Sequence, residues 1–146
     1  MSTENEVRQV SNQFYAALNR MANGDASPIM ELWSHSSDVT TMHPLGGRQI
    51  GWEQVRVSWE QAAAIASGGQ VTLSDQLIRV VGDVAYEVGI ESGEITLAGQ
   101  RASFEERVTN VYRREAGEWK LVHHHSDTVP ALQAILQRLQ ASQVEA

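Results

Sequence analysis

Apolar residues near the start of the chain recur at steps of three and four, the spacing of one face of an α-helix. The helix that this pattern predicts runs from Glu4 to Met21. Thr3 and Glu6 have the spacing of a capping box at its start. Asn23-Gly24 ends it, because glycine readily adopts the backbone conformation that follows a helix. Its buried face consists of Val7, Val10, Phe14, Leu18 and Met21.

Three more stretches predict helices. A short second helix begins with Ser27 as its cap and Pro28 at the first helical position, and it ends near Trp33. A third helix covers residues 51–66 and places Trp52 and Trp59 on its buried side. The last stretch, residues 130–139, has the spacing of a short amphipathic helix.

The other ordered segments have the composition of β-strands. The first predicted strand covers residues 38–43 and stops at Pro44, and a turn follows at Gly46-Gly47. Short connections favour an antiparallel meander for the later strands. Because these runs exceed the usual strand length, we expect β-bulges at Gly89 and Gly93. The four runs cover residues 70–81, 84–97, 101–114 and 119–129.

Helices that precede a set of antiparallel strands are typical of the α+β class. We expect a single domain, residues 1–146, in which N-terminal helices pack on a curved, mainly antiparallel sheet. A chain of this length buries roughly two-thirds of the surface that its unfolded form exposes. Such a sheet leaves a blind pocket between itself and the helices, and its opposite face requires a partner where it is apolar.

The charge balance narrows the choice of partners. The chain has 18 acidic and 11 basic residues, a formal net charge of -7, so its field repels nucleic acids and anionic membranes. The absence of cysteine excludes disulfides, thiolate nucleophiles and thiolate metal sites. Residues 1–6 are polar and acidic, unlike a signal peptide, and we expect a cytoplasmic protein.

Three adjacent histidines lie in the last predicted strand. Successive strand side chains point to opposite faces, so His123 and His125 share one face while His124 lies on the other. The three rings therefore cannot converge on one metal ion, and a His-x-His pair supplies only two ligands, to which Asp127 or His43 would have to add a third. We therefore predict no metal site. The predicted face of His123 also carries Trp119, Leu121 and Asp127, and that of His124 carries Val122 and Ser126.

The outer histidines and the inner histidine suit different roles. For His123 and His125 we favour packing and hydrogen bonding at an interface. On the concave face, His124 would act as a hydrogen-bond donor or as a general base near neutral pH. His43 ends the first strand, where strands open onto a pocket rim, although the same position suits a solvated loop histidine.

Other candidates come from strand faces. Glu87 and Glu91 lie at even spacing on one face of the second long strand. A carboxyl group enclosed among tryptophans transfers protons because burial favours its neutral form, whereas the alternative is that both side chains face water. Asn110 and Tyr112 either line the pocket or serve as satisfied polar groups in the sheet. Trp59 is interpreted as a core and pocket-wall residue.

The order of elements and three motifs resemble the nuclear transport factor 2-like (NTF2-like) superfamily. Within it, the chain is most similar to the SnoaL-like proteins and to the association domain of calcium/calmodulin-dependent protein kinase type II. The motifs are Asn23-Gly24-Asp25, Met42-His43-Pro44 and a Gly-x-Trp-x-x-Val-His-x-His sequence that begins at Gly117. The resemblance implies a cone-shaped, half-open barrel with a deep pocket and a dimer formed through the convex sheet face.

The resemblance also suggests pocket positions. Matching the last strand to the steroid isomerases of the superfamily puts Val122, His124 and Ser126 on the concave side. Asn110, or equally Thr109, matches the position of the isomerases' buried acid. The chain thus lacks that acid, and it also lacks the pocket arginines of the kinase domain, one of which Glu91 replaces. Steroid isomerisation and the binding of carboxylates are therefore not implied.

We expect a homodimer or larger assembly that binds a small apolar or amphipathic molecule. As an enzyme it would catalyse isomerisation, cyclisation or dehydration by proton transfer without a cofactor. His124 is the candidate general base and Glu91 its partner. The alternative is an oligomerisation or ligand-sensing module, similar to the kinase association domain, with His123 and His125 in the subunit interface. The candidate ligand-binding residues are His43, Trp59, Asn110, Tyr112, Val122 and Ser126.

Overall fold

Ten elements follow one another in this computed structural model, which describes residues 2–145 and the side chains of residues 2–142. The predicted helices and long strands are present, but β3 begins at Ala66 rather than Gln70, and α4 extends to Glu145 rather than Leu139. The helices are α1 (Thr3–Met21), α2 (Ser27–Leu32), α3 (Trp52–Ile65) and α4 (Pro130–Glu145). The strands are β1 (Thr40–His43), β2 (Gly46–Ile50), β3 (Ala66–Val81), β4 (Val84–Leu97), β5 (Gln100–Glu115) and β6 (Glu118–Ser126).

The starts of the first two helices differ from the prediction. Ser2 rather than Thr3 caps α1, and its hydroxyl accepts a hydrogen bond from the backbone N–H of Asn5. Ser27 is the first residue of α2 rather than its cap, and its N–H donates to the carboxylate of Asp25 at 3.0 Å. Within residues 2–145, none of the helices has both the length and the apolar character that a membrane crossing requires.

The sheet has six strands in the order β2-β1-β6-β5-β4-β3. Strands β3 to β6 form the predicted antiparallel meander, whereas β1 joins β6 in parallel. The turn predicted at Gly46-Gly47 is wrong, because these residues begin β2, which pairs antiparallel with β1. The parallel pairing matters for the site, since it sets Thr41 of β1 beside His124 of β6.

The bulges of the long β3–β4 hairpin lie in β3 rather than at Gly89 and Gly93. The register between the two strands shifts between Ser67 and Gln70 and again between Ser74 and Leu77. Gly89 lies opposite the second shift, where a Cβ atom would come within 2.8 Å of the Ser74 carbonyl oxygen. Glycine is therefore needed on the strand that faces the bulge, because the two backbones approach each other closely.

A further bulge in β6 changes which side chains share a face. Tyr112 of β5 pairs with Leu121, whereas Val111 pairs with His123, so Val122 is an extra residue in β6. The strict alternation that we predicted for β6 is therefore wrong before the bulge. The buried side chains of this strand are Trp119, Leu121, His124 and Ser126.

The core lies between the inner face of the sheet and the helices. Phe14 of α1 and Trp59 of α3 are almost completely buried against it. A second cluster joins Leu132 and Ile135 of α4 to Ile95 of β4, so α4 covers one end of this layer. Burial of each large apolar side chain stabilises the fold by about 1.5–3 kcal/mol. The predicted α+β architecture, with helices on a sheet that is not closed, is confirmed.

Candidate active site between the helices and the sheet

A partly enclosed cavity lies between the helices and the inner face of the sheet. Its volume is about 70 Å³, which is small for a ligand cavity. Four titratable side chains reach this cavity: His43, Glu91, Glu106 and His124. Most of the remaining wall is apolar and includes Leu18, Met21, Trp59, Ile95, Phe104 and Leu132. The cavity thus offers a few polar groups within an apolar enclosure, which is the usual composition of a small-molecule site.

His124 lies just after the β6 bulge and is 2% exposed. Its ring lies 5.5 Å from the ring of Phe14 and 5.6 Å from that of Trp59, measured between centroids. Burial among these rings, followed by the proximity of His43, holds the pKa of His124 well below its usual range. The imidazole is therefore neutral at pH 7.

Glu87 lies fully buried on β4, next to Asn110. Its Oε2 accepts hydrogen bonds from the Ser11 hydroxyl and the Gln76 amide, both at 2.5 Å. Its Oε1 accepts from the Asn110 amide and the Tyr112 hydroxyl, both at 3.0 Å. Four donors thus surround the two oxygens, which offsets much of the cost of burying a carboxylate.

The Asn110 amide connects Glu87 to His124. Its Nδ2 donates to Glu87, so its Oδ1 faces Nδ1 of His124 at 2.7 Å. An amide oxygen only accepts hydrogen bonds, and His124 must therefore carry its proton on Nδ1. This leaves Nε2 of the neutral ring with a lone pair, the state that a general base requires.

His43, at the end of β1, is also a neutral histidine. Its Nε2 lies 2.9 Å from the Ser58 hydroxyl, whose own hydrogen is donated to the Val55 carbonyl oxygen at 2.7 Å. Nε2 of His43 is therefore the donor. Its ring packs edge-on against Trp59 at 4.6 Å between centroids. Burial lowers the pKa of His43 to about 4.

Glu91 and Glu106 form a carboxyl pair across β4 and β5 and share a hydrogen bond. The Tyr15 hydroxyl donates to Glu91 at 2.7 Å. Burial, followed by the charge of Glu91, raises the pKa of Glu106 to about 9, and burial also raises the pKa of Glu91. The pair therefore retains a proton at neutral pH, since two buried carboxylates in contact repel each other. The cavity consequently contains a carboxylic acid as well as neutral imidazoles.

Several buried polar atoms around the cavity have no hydrogen-bond partner among the described residues. Two of them, Trp59 Nε1 and Glu106 Oε2, belong to side chains that line the cavity. The hydroxyls of Thr41 and Ser126 are also unpaired, and both residues are neighbours of His124 in the sheet. Buried polar groups usually find partners, so Trp59 Nε1 and Glu106 Oε2 are available to a molecule that enters the cavity.

The structure separates the predicted site residues into two layers. His43, Glu91, Trp59 and His124 line the cavity directly. Asn110 lies behind them, where it contacts His124.

Three other predicted positions lie outside the cavity wall. Tyr112 donates to Glu87 within the polar network behind the wall. Ser126 is buried two residues beyond His124, whereas Val122 is the half-buried bulge residue. Val122 packs against the apolar core but is not among the residues that line the cavity. Thr109, the alternative to Asn110, pairs with His125 on the outer face.

Glu106 and Tyr15 were not predicted from the sequence. Glu106 is recognised only as the cross-strand neighbour of Glu91, which depends on the β4–β5 register. A signal for Tyr15 was present, because Ser11 and Tyr15 are four residues apart within the apolar stripe of α1. Polar side chains at that spacing point into the same interface as their apolar neighbours.

The outer face of β6 has different chemistry. The rings of His123 and His125 lie 6.0 Å apart between centroids, and Nδ1 of His123 contacts the Thr40 hydroxyl at 2.7 Å. Across residues 2–142, no group of three His, Asp or Glu side chains is arranged to hold a metal ion. An open groove of about 490 Å³ beside His125 is larger than the inner cavity but lacks its buried acid and base groups.

Comparisons with known proteins agree with this architecture. The sequence model of the SnoaL-like domain matches residues 7–131. A protein of Streptomyces avermitilis, provisionally assigned as a dehydratase of the NTF2-like family, is 27% identical, with a TM-score of 0.76 over 86% of this chain and 95% of that chain. A provisionally assigned calcium/calmodulin-dependent protein kinase type II association domain from Thiobacillus denitrificans is 24% identical, with a TM-score of 0.66 over 84% of this chain and 94% of that chain.

One relative with a curated description is the F-box protein SKIP8 of Arabidopsis thaliana. It is 22% identical over 133 residues, which are 88% of this chain and 52% of that protein. The chain thus spans about half the length of this relative. Together with the structural matches, the comparisons confirm the family resemblance found in the sequence.

Proposed function

We propose a catalytic function for this chain, which belongs to the SnoaL-like domain family and has a small-molecule-binding fold. The proposed activity is cofactor-free acid–base catalysis on a compact carbonyl compound, and elimination of water is the reaction that the site supports best. Isomerisation and cyclisation need the same base, but they do not require a separate acid for a leaving hydroxyl group.

One observation carries the proposal: the same cavity holds a neutral histidine and a protonated carboxyl pair. His124 has its proton on Nδ1 and a lone pair on Nε2. Glu91 and Glu106 share a proton because burial raises the pKa of both. Environments that push two titratable groups in opposite directions are typical of an acid–base pair.

The reaction follows from these two groups. Nε2 of His124 removes a proton from the carbon next to the substrate carbonyl. The Glu91–Glu106 pair donates its proton to the hydroxyl on the following carbon, the carbon–oxygen bond breaks and water leaves. Transfer of the proton from His124 back to the carboxyl pair, through the released water, completes the cycle. No oxidant, reductant or cofactor is needed for this balance.

The size of the cavity and its apolar wall limit which substrates can bind. A volume of about 70 Å³ is well below the roughly 300–1,000 Å³ of drug-sized pockets. The apolar wall favours a short hydrocarbon skeleton, and the unpaired Trp59 Nε1 is a donor for the substrate carbonyl oxygen. The relative from Streptomyces avermitilis, named as a provisional dehydratase, supports the same reaction class.

The proposal can be tested by isotope exchange. Compact β-hydroxy ketones are incubated with the protein in D₂O, and deuterium at the carbon next to the carbonyl is measured by NMR together with the unsaturated product. We expect exchange and product with the wild type. His124→Ala should slow both by about 10²–10⁴-fold, the usual contribution of a general base. His125→Ala, on the outer face of the same strand, is the matched control and should retain the wild-type rates.

Occupancy of the cavity provides an independent check. Ala62 of α3 lines the cavity, whereas Val57 of the same helix is exposed. Ala62→Trp should fill the cavity and abolish exchange, while Val57→Trp should not. Equal rates in the two variants, or unchanged rates in His124→Ala, would remove this cavity from the proposed reaction.

A second proposal concerns assembly. Four large apolar side chains on the outer side of the β3–β4 hairpin are exposed: Leu77, Val81, Val84 and Tyr86. We propose that this face, which also carries His123 and His125, pairs with a second copy of the chain, because such a patch usually marks a binding surface. Val81→Lys combined with Tyr86→Lys should shift a dimer to monomer in light scattering. Arg48→Ala, at an exposed position on the short strand β2, is the control.

A further inference from the structure

A chain of hydrogen bonds connects the surface of α1 with the cavity. Arg8 Nη1 donates to Gln76 Oε1 at 2.5 Å, and Gln76 Nε2 donates to Glu87 at 2.5 Å. On its other oxygen Glu87 accepts from Asn110, whose Oδ1 contacts Nδ1 of His124. Five side chains from α1, β3, β4, β5 and β6 thus form one continuous path.

The direction of each bond in this path is determined. A guanidinium group has only donors, so Gln76 must turn its oxygen towards Arg8 and its NH₂ group towards Glu87. A carboxylate has only acceptors, so Asn110 must turn its NH₂ group towards Glu87 and its oxygen towards His124. Neither amide can reverse without placing two donors or two acceptors against each other.

We propose that Glu87 is a positioning residue that fixes the amide of Asn110 and thereby keeps the proton of His124 on Nδ1. Glu87 makes no contact with the cavity itself and acts only through Asn110. The assignment of the His124 proton to Nδ1 depends only on these hydrogen bonds. The claim that this tautomer supports catalysis rests on the proposed function.

Glu87→Gln is the informative substitution, because it changes one acceptor into a donor at constant size. The NH₂ group of the new amide cannot face Gln76, whose NH₂ group is held there by Arg8. It must therefore take the place of Oε1 beside Asn110 and Tyr112. The Tyr112 hydroxyl can rotate to accept. The NH₂ group of Asn110 also donates to the Tyr15 hydroxyl at 3.0 Å, but we expect this amide to turn over, because two NH₂ groups would otherwise face each other.

A reversed Asn110 places its NH₂ group against Nδ1 of His124. The imidazole proton then moves to Nε2, and the lone pair of the ring faces away from the cavity. In ¹⁵N-histidine-labelled protein, long-range proton–nitrogen NMR distinguishes protonated from unprotonated ring nitrogens. We expect the wild-type His124 to show a protonated Nδ1 and the Glu87→Gln variant to show a protonated Nε2. The resonance is assigned with His124→Gln.

A rescue variant distinguishes this relay from a general disturbance. In the double substitution Glu87→Gln with Gln76→Glu, the new carboxylate accepts both from Arg8 and from the NH₂ group of residue 87. The oxygen of residue 87 then returns to Asn110, and the Nδ1 proton should be restored. Glu105→Gln, an exposed substitution on β5, should leave the His124 signals unchanged.

The outcomes that would contradict this inference differ from those that would contradict the proposed function. A protonated Nε2 in the wild type, or an unchanged tautomer in folded Glu87→Gln, would overturn the inference. If Glu87→Gln does not fold, the wild-type spectrum and the double variant still show whether Glu87 controls the tautomer of His124. In the exchange assay, Glu87→Gln should lower kcat with little change in KM, and the double variant should recover it. A tautomer that switches without any effect on exchange would instead contradict the role of His124 as a base.

Discussion

The two faces of β6 show how adjacent, identical side chains acquire different chemistry. His124 lies buried on the inner face, where its hydrogen bond to Asn110 fixes the tautomer and burial lowers its pKa well below the usual range. His123 is half-buried and His125 is exposed on the outer face. Burial lowers the pKa of His123 as well, but that ring contacts Thr40 at the opposite side of the sheet. The residue type therefore supplies the imidazole, and the face of the strand decides its role.

The same contrast applies to carboxyl groups. Glu87, Glu91 and Glu106 are buried on the inner face, each with hydrogen bonds to neighbouring side chains. Asp127 is partly exposed at the end of β6 and pairs with Arg107, which is highly exposed. Carboxyl groups on the inner face are costly to bury and are held by a network, whereas those on the outer face are solvated. Four experiments test this contrast.

The largest effect is expected from Glu87. Glu87→Ala leaves the donors of Asn110, Gln76 and Tyr112 without an acceptor in a buried environment, which should lower the free energy of unfolding by about 3–5 kcal/mol. Glu105→Ala, an exposed carboxylate on the outer face of β5, is the matched control and should change little. Urea denaturation measures both. Similar losses for the two variants would contradict the difference between the faces.

A smaller effect per pH unit is expected from alkaline titration of Glu106. Burial raises the pKa of this residue from 4.5 to about 9, so the folded state binds more protons between these pH values. The associated stability is present below pH 4.5 and is lost as the pH rises towards 9, by up to about 1.4 kcal/mol per pH unit. Glu106→Gln should reduce this slope in denaturation curves measured from pH 5 to 9. An unchanged slope would mean that Glu106 is not held protonated.

Denaturation at acidic pH tests His43, for which the dependence of stability on pH has the opposite sign. Burial lowers the pKa of this residue from 6.5 to about 4, so the unfolded state binds more protons between these values. The associated stability is present above pH 6.5 and is lost as the pH falls towards 4, again by up to about 1.4 kcal/mol per pH unit. His43→Gln should reduce this slope. Ser58→Ala removes the hydrogen-bond partner of the ring but not the titrating group, and it should retain the slope while lowering stability at each pH.

The smallest effect is expected on the outer face. Asp127→Asn breaks the ion pair with Arg107 at 2.8 Å, but both side chains are in contact with solvent. Exposed ion pairs contribute little to stability because water solvates both charges. Thermal and urea denaturation should therefore not separate this variant from the wild type. A loss of stability comparable to that of Glu87→Ala would show that the ion pair between Asp127 and Arg107 contributes substantially to the stability of the fold.

Much of the architecture was predictable from local patterns. The spacing of Phe14 and Leu18 along α1, and the glycine turns between the long strands, indicate the α+β order because helix and strand periods are properties of the chain itself. The turn at Gly46-Gly47 was misread because β2 is short and its residues pair only with β1. A short edge strand has little pattern of its own, since its partner strand supplies the hydrogen bonds.

The site was predictable only in part. The roles proposed for His124 and Asn110 follow from strand alternation and the family resemblance, and the structure brings the two side chains into contact. The face of Leu121 was misassigned, because one extra residue at the Val122 bulge reverses the alternation and leaves no mark in the sequence.

The sequence by itself determined which functional groups are present, namely histidines and carboxyl groups but no cysteine. It also determined the helices and strands that carry them, whose periodicity is recognisable along the chain. Only the tertiary structure decided which of them meet. The β4–β5 register pairs Glu91 with Glu106, and the parallel contact of β1 with β6 brings Thr41 beside His124. Local periodicity depends on bonds along the chain, whereas protonation depends on burial and on partners that are distant in sequence.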